Sequence, residues 1–253
     1  GKGEYRKVLH LKTKGDDRRY TLYFEGVYMN AEVIVNGTST GTQHYGYSSF
    51  LRDVTELLHE GDNEVVVRVD NSQQKNCRWY TGSGIYRHVW LIETADVHFK
   101  HWGTFVTTPV VAQDDMSRVD VQTVIVNESD RDRVLDMCFK IAQDESIGGG
   151  FSSMHSRTVR VKPHEELEVS HLFDVPHAHL WSPDTPYLYH ATLTISENNK
   201  PIDVTTQTFG IRSIAFNSEQ GFLLNGRPIK LNGGCLHHDN GILGAAAFDR
   251  AEE

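Results

Sequence analysis

Short β-branched runs on a two-residue period dominate this chain. Glu64-Val65-Val66-Val67-Arg68-Val69-Asp70, Val119-Asp120-Val121-Gln122-Thr123-Val124-Ile125-Val126 and Thr158-Val159-Arg160-Val161-Lys162 are each bounded by clusters of Gly, Asp and Asn. Successive strand side chains point to opposite faces, so such runs bury one face of a sheet and form no helical stripe. The turn signals Asn36-Gly37, Gly61-Asp62-Asn63 and Glu197-Asn198-Asn199-Lys200-Pro201 recur between them. No amphipathic helical stretch of useful length appears before Ala245. Roughly the first 240 residues therefore read as all-β, in packed sandwiches.

Composition excludes several function classes. A chain of 253 residues that is 38% hydrophobic and 23% charged can bury one large core or two ordinary ones. A net charge of -9 argues against a phosphate-backbone partner, so no nucleic acid is expected, and a small neutral or cationic ligand fits better. Three cysteines, Cys77, Cys138 and Cys235, are odd in number and far apart, which suggests neither a disulfide framework nor zinc spacing. No run approaches a membrane span, and Gly1 to Arg6 is no signal peptide. The compartment stays open: periplasmic or extracellular if a signal lies upstream, cytoplasmic otherwise.

The first sandwich ends with Gly84-Ile85-Tyr86-Arg87-His88-Val89-Trp90-Leu91-Ile92-Glu93, and a new strand begins after Thr94-Ala95-Asp96. The second, 97–216, has the size of an immunoglobulin-like domain without the intersheet cysteine pair. Its Ile147-Gly148-Gly149-Gly150 reads as a loop tip rather than a phosphate cradle, because no helix start follows. Past Asn217, a hairpin through Asn225-Gly226 leads into an apolar strand that delivers His237-His238-Asp239 at its carboxyl end, where α/β barrels build active sites. A helical signature opens at Gly244 and runs to Glu253.

Five blocks in order carry a family resemblance: Phe24-Glu25-Gly26 through Val35-Asn36-Gly37; Gly46-Tyr47-Ser48-Ser49-Phe50 with Asp53-Val54-Thr55; Gly82-Ser83-Gly84 through Val89-Trp90-Leu91; Phe209-Gly210-Ile211-Arg212; and Leu224-Asn225-Gly226 through His237-His238-Asp239. Together they resemble family 2 glycoside hydrolases, in particular the β-galactosidase branch. The resemblance implies a mainly β chain with a jelly-roll sugar-binding domain at 1–96, truncated at its start. An immunoglobulin-like sandwich at 97–216 and the truncated start of a (β/α)8 catalytic barrel at 217–253 follow.

The same resemblance implies retaining hydrolysis of terminal β-D-galactosides by two glutamates, one often preceded by asparagine, whose carboxyls sit about 5–5.5 Å apart. Both come from later barrel strands, so no catalytic residue is expected within this chain, which should be inactive alone. Asn63-Glu64 and Asn127-Glu128 match the acid/base dipeptide superficially, but each lies in a sandwich and neither is carried over. Substrate contacts are assigned to His237, His238 and Asp239 at the barrel mouth, and to Asp70 and Asn71 at the end of a first-sandwich strand, since carboxylates and amides suit sugar hydroxyls. Arg78-Trp79-Tyr80 follows that loop, and its aromatics read as core rather than binders. Ser48 and Ser49 beside His44 read as sandwich surface, and the triplets Asn36-Gly37-Thr38 and Asn127-Glu128-Ser129 fit the glycosylation pattern.

No cofactor is expected; a family-type monovalent or divalent cation near the sugar is not indicated by the residues. Cys235, His237, His238 and Asp239 alternate across a strand and cannot converge on a metal. The expected partner is a carbohydrate ending in a β-galactoside, with no membrane contact. The segment from about Asn217 onward either packs back on the immunoglobulin-like domain or pairs with a second copy through its open barrel strand. The alternatives are a β-glucuronidase or β-mannosidase of the same family, or a stand-alone carbohydrate-binding sandwich module.

Overall fold

A computed structural model describes residues 1–73, 82–144, 150–235 and 240–253. It is 58% strand and 3% helix, so the molecule is mainly β as the two-residue period demands. Two compact units divide it: residues 1–94 with 234–253, and residues 95–233.

In the first unit β1 (Lys2–Leu11), β7 (Gly61–Asp70), β4 (Ala31–Val35) and β5 (Thr38–Gln43) form one antiparallel sheet in that order. A second sheet runs β6 (Phe50–Asp53), β2 (Arg18–Phe24), β9 (Val89–Ala95), with β3 (Val27–Tyr28) and β8 (Gly84–Ile85) as a short ribbon. Alternate residues fill the space between: Tyr20, Leu22 and Phe24 from β2, Val33 and Val35 from β4, Val65, Val67 and Val69 from β7. Asn36 and Gly37 join β4 to β5 with φ of 48° and 82°, the pair of left-handed residues that a two-residue hairpin needs. An apolar cleft of about 360 Å³ opens between the edge strands β1 and β9, lined by Tyr5, Leu22, Phe24, Val67, Ile85 and Trp90 among others.

The second unit packs two antiparallel sheets. In one, β12 (Met116–Asn127) pairs with β15 (Glu166–Pro176) on one side, and with β10 (Val97–Phe99) and β11 (Phe105–Gln113) on the other. The other runs β14 (Ser152–Val161), β13 (Arg133–Gln143), β16 (Tyr189–Glu197), β17 (Lys200–Phe209). Its core includes Ile125, Leu135, Met137, Phe139, Leu193 and Ile195, all without solvent exposure. Where the edges β14 and β15 meet, His155 and His171 stack with centroids 3.9 Å apart and planes within 2°, and Phe173 meets His171 edge-on at 4.5 Å. At the other edge the Phe99 N–H donates to Asp203 Oδ2 at 2.8 Å. Arg133 is the main buried charge, with a fork to Glu197 at 2.8 and 3.0 Å and a third bond to Asp96 at 2.6 Å.

Beyond the sandwich, β18 (Ile214–Asn217), β19 (Gly221–Leu224) and β20 (Arg227–Pro228) form a small meander that groups with the second unit. Its turn is the expected Asn225-Gly226, with φ of 51° and 73°. Asn225 ties it down by donating Nδ2 to the Trp181 carbonyl at 3.0 Å and accepting the Ser213 N–H at 3.0 Å. The apolar strand expected after Ile229 does not extend: the Ile229 N–H still donates to the Phe222 carbonyl at 3.0 Å, but 230–235 joins no ladder, and Leu231 is 68% exposed. A strand exists only through hydrogen bonds to a neighbour, and no described strand runs beside 230–235. Residues 234–253 instead group with the first unit, where the Ala247 N–H donates to the Tyr86 carbonyl at 2.8 Å. The helix expected from Gly244 is only α1 (Asp249–Glu252), because Gly244 sits at φ 61° and so short a helix barely repays its nucleation. Among the described residues no helix is long and apolar enough to cross a membrane.

Candidate functional site

The valine ladder of β7 carries Asp70 to the strand end, where the chain next to it is held from both sides. The Asp70 N–H donates to the Met29 carbonyl at 3.0 Å, and Asn30 Nδ2 donates to the Asp70 carbonyl at 2.9 Å. Asn30, at φ 47°, belongs to the residue types that tolerate the left-handed region, and its Oδ1 lies 3.0 Å from His44 Nδ1. The Asp70 carboxylate stays exposed; Ser72 donates its N–H at 2.9 Å and Lys2 Nζ stands 3.3 Å away. The Ser72 hydrogen bonds, and after them Lys2, hold its carboxyl below the usual range, so it is an acceptor and no general acid at neutral pH. Asn71 is committed to the fold: its backbone exchanges hydrogen bonds with Gly1 at 2.7 and 2.8 Å, and its Nδ2 donates to Ser83 Oγ at 2.8 Å.

Asp70 lines an open depression of about 560 Å³ with Asn30, Thr42, Glu32, Arg68 and Lys2. The cations there face carboxylates, Lys2 with Asp70 at 3.3 Å and Arg68 with Glu4 at 3.0 Å, so the lining is close to self-neutralised. Past Thr42 the chain turns through His44 into Tyr45-Gly46-Tyr47. Both tyrosines are exposed, at 62% and 59%, with ring centroids 5.9 Å apart. Gly46 between them is buried against Tyr28, where an added Cβ would lie 2.2 Å from a ring carbon, and its carbonyl accepts the Tyr86 hydroxyl at 2.8 Å. The carboxylate and amide of the depression, the imidazole bonded to that amide and the two edge-on tyrosines that follow it in the chain are groups that suit a polyhydroxyl ligand.

The remaining sequence candidates separate. His237, His238 and Asp239, with Arg78-Trp79-Tyr80 and the Ile147-Gly148-Gly149 part of the glycine loop, lie outside the described residues. In both Asn-Glu dipeptides the asparagine is a fully buried brace. Asn63 holds the loop before β7 through His59 and Gly61, and Glu64 pairs with Arg6. Asn127 Nδ2 donates to the carbonyls of Arg131, Val161 and Lys162 at 2.9, 3.2 and 2.8 Å, which leaves this amide no room for a glycan. Among the described residues no three His, Cys, Asp or Glu side chains gather as a metal site.

Residues 1–95 match the family model for the sugar binding domain of glycosyl hydrolases family 2, and residues 97–212 match a second model of that family. The chain belongs to glycosyl hydrolase family 2. Among family 2 relatives, the Beta-galactosidase BoGH2A of Bacteroides ovatus is 39% identical over 100% of this chain and 29% of its own length. A Putative beta-glucuronidase of Formosa agariphila is 34% identical over 97% of this chain and 23% of its own. The crystal structure of a family 2 member from Bacteroides cellulosilyticus superposes with a TM-score of 0.91 at 42% identity, covering 100% of this chain and 34% of that one. The family 2 chain thus spans under a third of the length of the first two relatives. What sequence reasoning missed in it is the aromatic pair: the family block Gly46-Tyr47-Ser48-Ser49-Phe50 includes Tyr47 alone, and Tyr45 just before it drew no reading from sequence. The signal was two rings flanking a glycine within a polar loop.

Proposed function

We propose that this chain is the sugar-recognising amino-terminal part of a retaining exo-β-glycosidase that removes terminal β-D-galactosyl residues. The observation that carries the reading is the 39% identity, over the whole chain, to a relative named Beta-galactosidase. Retention requires two carboxyls about 5–5.5 Å apart on either side of the anomeric carbon. In this reading both glutamates are supplied outside these 253 residues. On the same reading, residues 217–253 lead into the catalytic barrel, and His237, His238 and Asp239 are assigned to sugar contact. Asp70 accepts hydroxyl hydrogens of the bound sugar, and Asn71 keeps the Asp70 loop in place. No cofactor enters.

A β-glucuronide is the second reading, favoured by the 34% identical Formosa agariphila relative. Against it, the cations beside Asp70 already face Asp70 and Glu4, and a uronate carboxylate would find no free counter-charge in that depression. The test is release of p-nitrophenol from β-galactoside, β-glucuronide and β-mannoside by a longer gene product that includes the barrel, with the 253-residue chain alongside. Galactoside should turn over fastest with the long protein, and the short chain should stay at the blank rate. Glucuronide preference, or turnover by the short chain near the ordinary enzyme rate of about 10 per second, would overturn the reading.

A further inference from the structure

Tyr45 and Tyr47 stand together in water, edge to face with centroids 5.9 Å apart. Here the chain is built to hold them there. Gly46 is wedged on the Tyr28 ring and its carbonyl is fixed by Tyr86, so Tyr45 and Tyr47 leave the surface from a backbone with little freedom. Gln43 Nε2 adds a bond across the loop to Ser48 Oγ at 3.2 Å. The two rings meet edge to face, 67° between planes, and Tyr47 also leans on Tyr28 at 5.0 Å, so the pair offers an angled apolar corner against which the C–H face of a pyranose can rest. On one flank stand His44, Asn30 and Asp70, joined through Asn30 by contacts of 3.0 and 2.9 Å. The nearly self-neutralised depression next to them favours an uncharged ligand over an acidic one.

We propose that Tyr45 and Tyr47 form an aromatic subsite on which the second pyranose of a neutral β-linked oligosaccharide stacks, with its hydroxyls directed at His44, Asn30 and Asp70. The inference deepens the glycosidase reading and rests on it for the ligand class. The test uses the 253-residue chain and saturation-transfer NMR with lactose, raised to about 50 mM because single-subsite affinities are weak. Saturation should reach the ring C–H protons of the sugar. Tyr45→Ala and Tyr47→Ala should each weaken the titration about fivefold or more, whereas Tyr45→Phe, which keeps the ring, should stay near the parent. Circular dichroism confirms that each variant is folded. Absence of transfer, or alanine variants that titrate like the parent, would overturn the subsite. Galactoside hydrolysis by the longer protein is scored separately. If it proceeds while the alanine variants bind normally, only the subsite fails; if it is absent while tyrosine-dependent binding persists, only the hydrolase reading fails.

Discussion

Replacing Arg133 by methionine should cost the second unit about 3 kcal/mol. The guanidinium is 6% exposed and makes three charge-assisted bonds, two to Glu197 and one to Asp96. At these separations each ion pair is worth about 6 kcal/mol at an effective dielectric of about 20, and burying the charges takes several of those back. The net worth of the cluster is therefore modest. Its removal is not, because Asp96 and Glu197, 13% and 28% exposed, would face each other without a cation. Such half-removed clusters cost about 3–5 kcal/mol, and the partial exposure of Glu197 sets the expectation at the low end. Urea unfolding read by Trp102 and Trp181, with Trp79 and Trp90 changed to phenylalanine, isolates the second unit from the first. Arg133→Met combined with Asp96→Asn and Glu197→Gln should recover most of the loss, since no charge is then stranded. A single variant within about 1 kcal/mol of the parent, or a triple variant no better than the single, would refute the argument.

Burial first, and then the neighbouring His155 and Arg157, push the His171 imidazole below its ordinary range, with Asp120 acting in the opposite direction. The unfolded chain then binds that proton more readily, so stability is complete above about pH 6.5 and falls as the pH drops from there towards the folded value; His171→Phe should flatten that slope in pH-dependent thermal melts. Asn127→Ala strips three carbonyls of their donor and should cost about 2–3 kcal/mol in denaturant titrations. Gly46→Ala drives a methyl into the Tyr28 ring, and should lower the melting temperature of the first unit and weaken lactose binding together.

Local chemistry was legible and distant pairing was not. The hairpins at Asn36-Gly37, Asn198-Asn199 and Asn225-Gly226 appear with both turn residues at positive φ, as their side chains and the glycines permit. The sandwich core follows from alternation, so Val65, Val67 and Val69 could be placed inward from sequence. The run from Ile229 to Gly234 was read as a strand, yet only the Ile229 N–H reaches a neighbour, at the Phe222 carbonyl, because apolar residues specify burial while a ladder needs a partner strand. Asp70 and Asn71 look alike as strand-end polar residues, yet only Asp70 keeps an exposed, ionised side chain on the depression. Arg133 with Asp96 and Glu197, and His155 with His171, join positions far apart in the chain whose meeting depends on strand order. No single-chain pattern encodes that.

The cleft between β1 and β9 has a practical consequence. Its walls are aliphatic and aromatic apart from Arg6 and Lys7, and its mouth is open while the protein is native. Environment-sensitive fluorophores that report unfolding by lighting up on exposed hydrocarbon will find such a berth already present in the folded molecule. A dye-based melt of this protein should begin bright and lose contrast, and a compound displacing the dye at ambient temperature would be reporting on this crevice rather than on the Asp70 depression. Trp90, which lines the crevice and donates its indole N–H to Glu25 at 2.9 Å, offers a label-free readout instead.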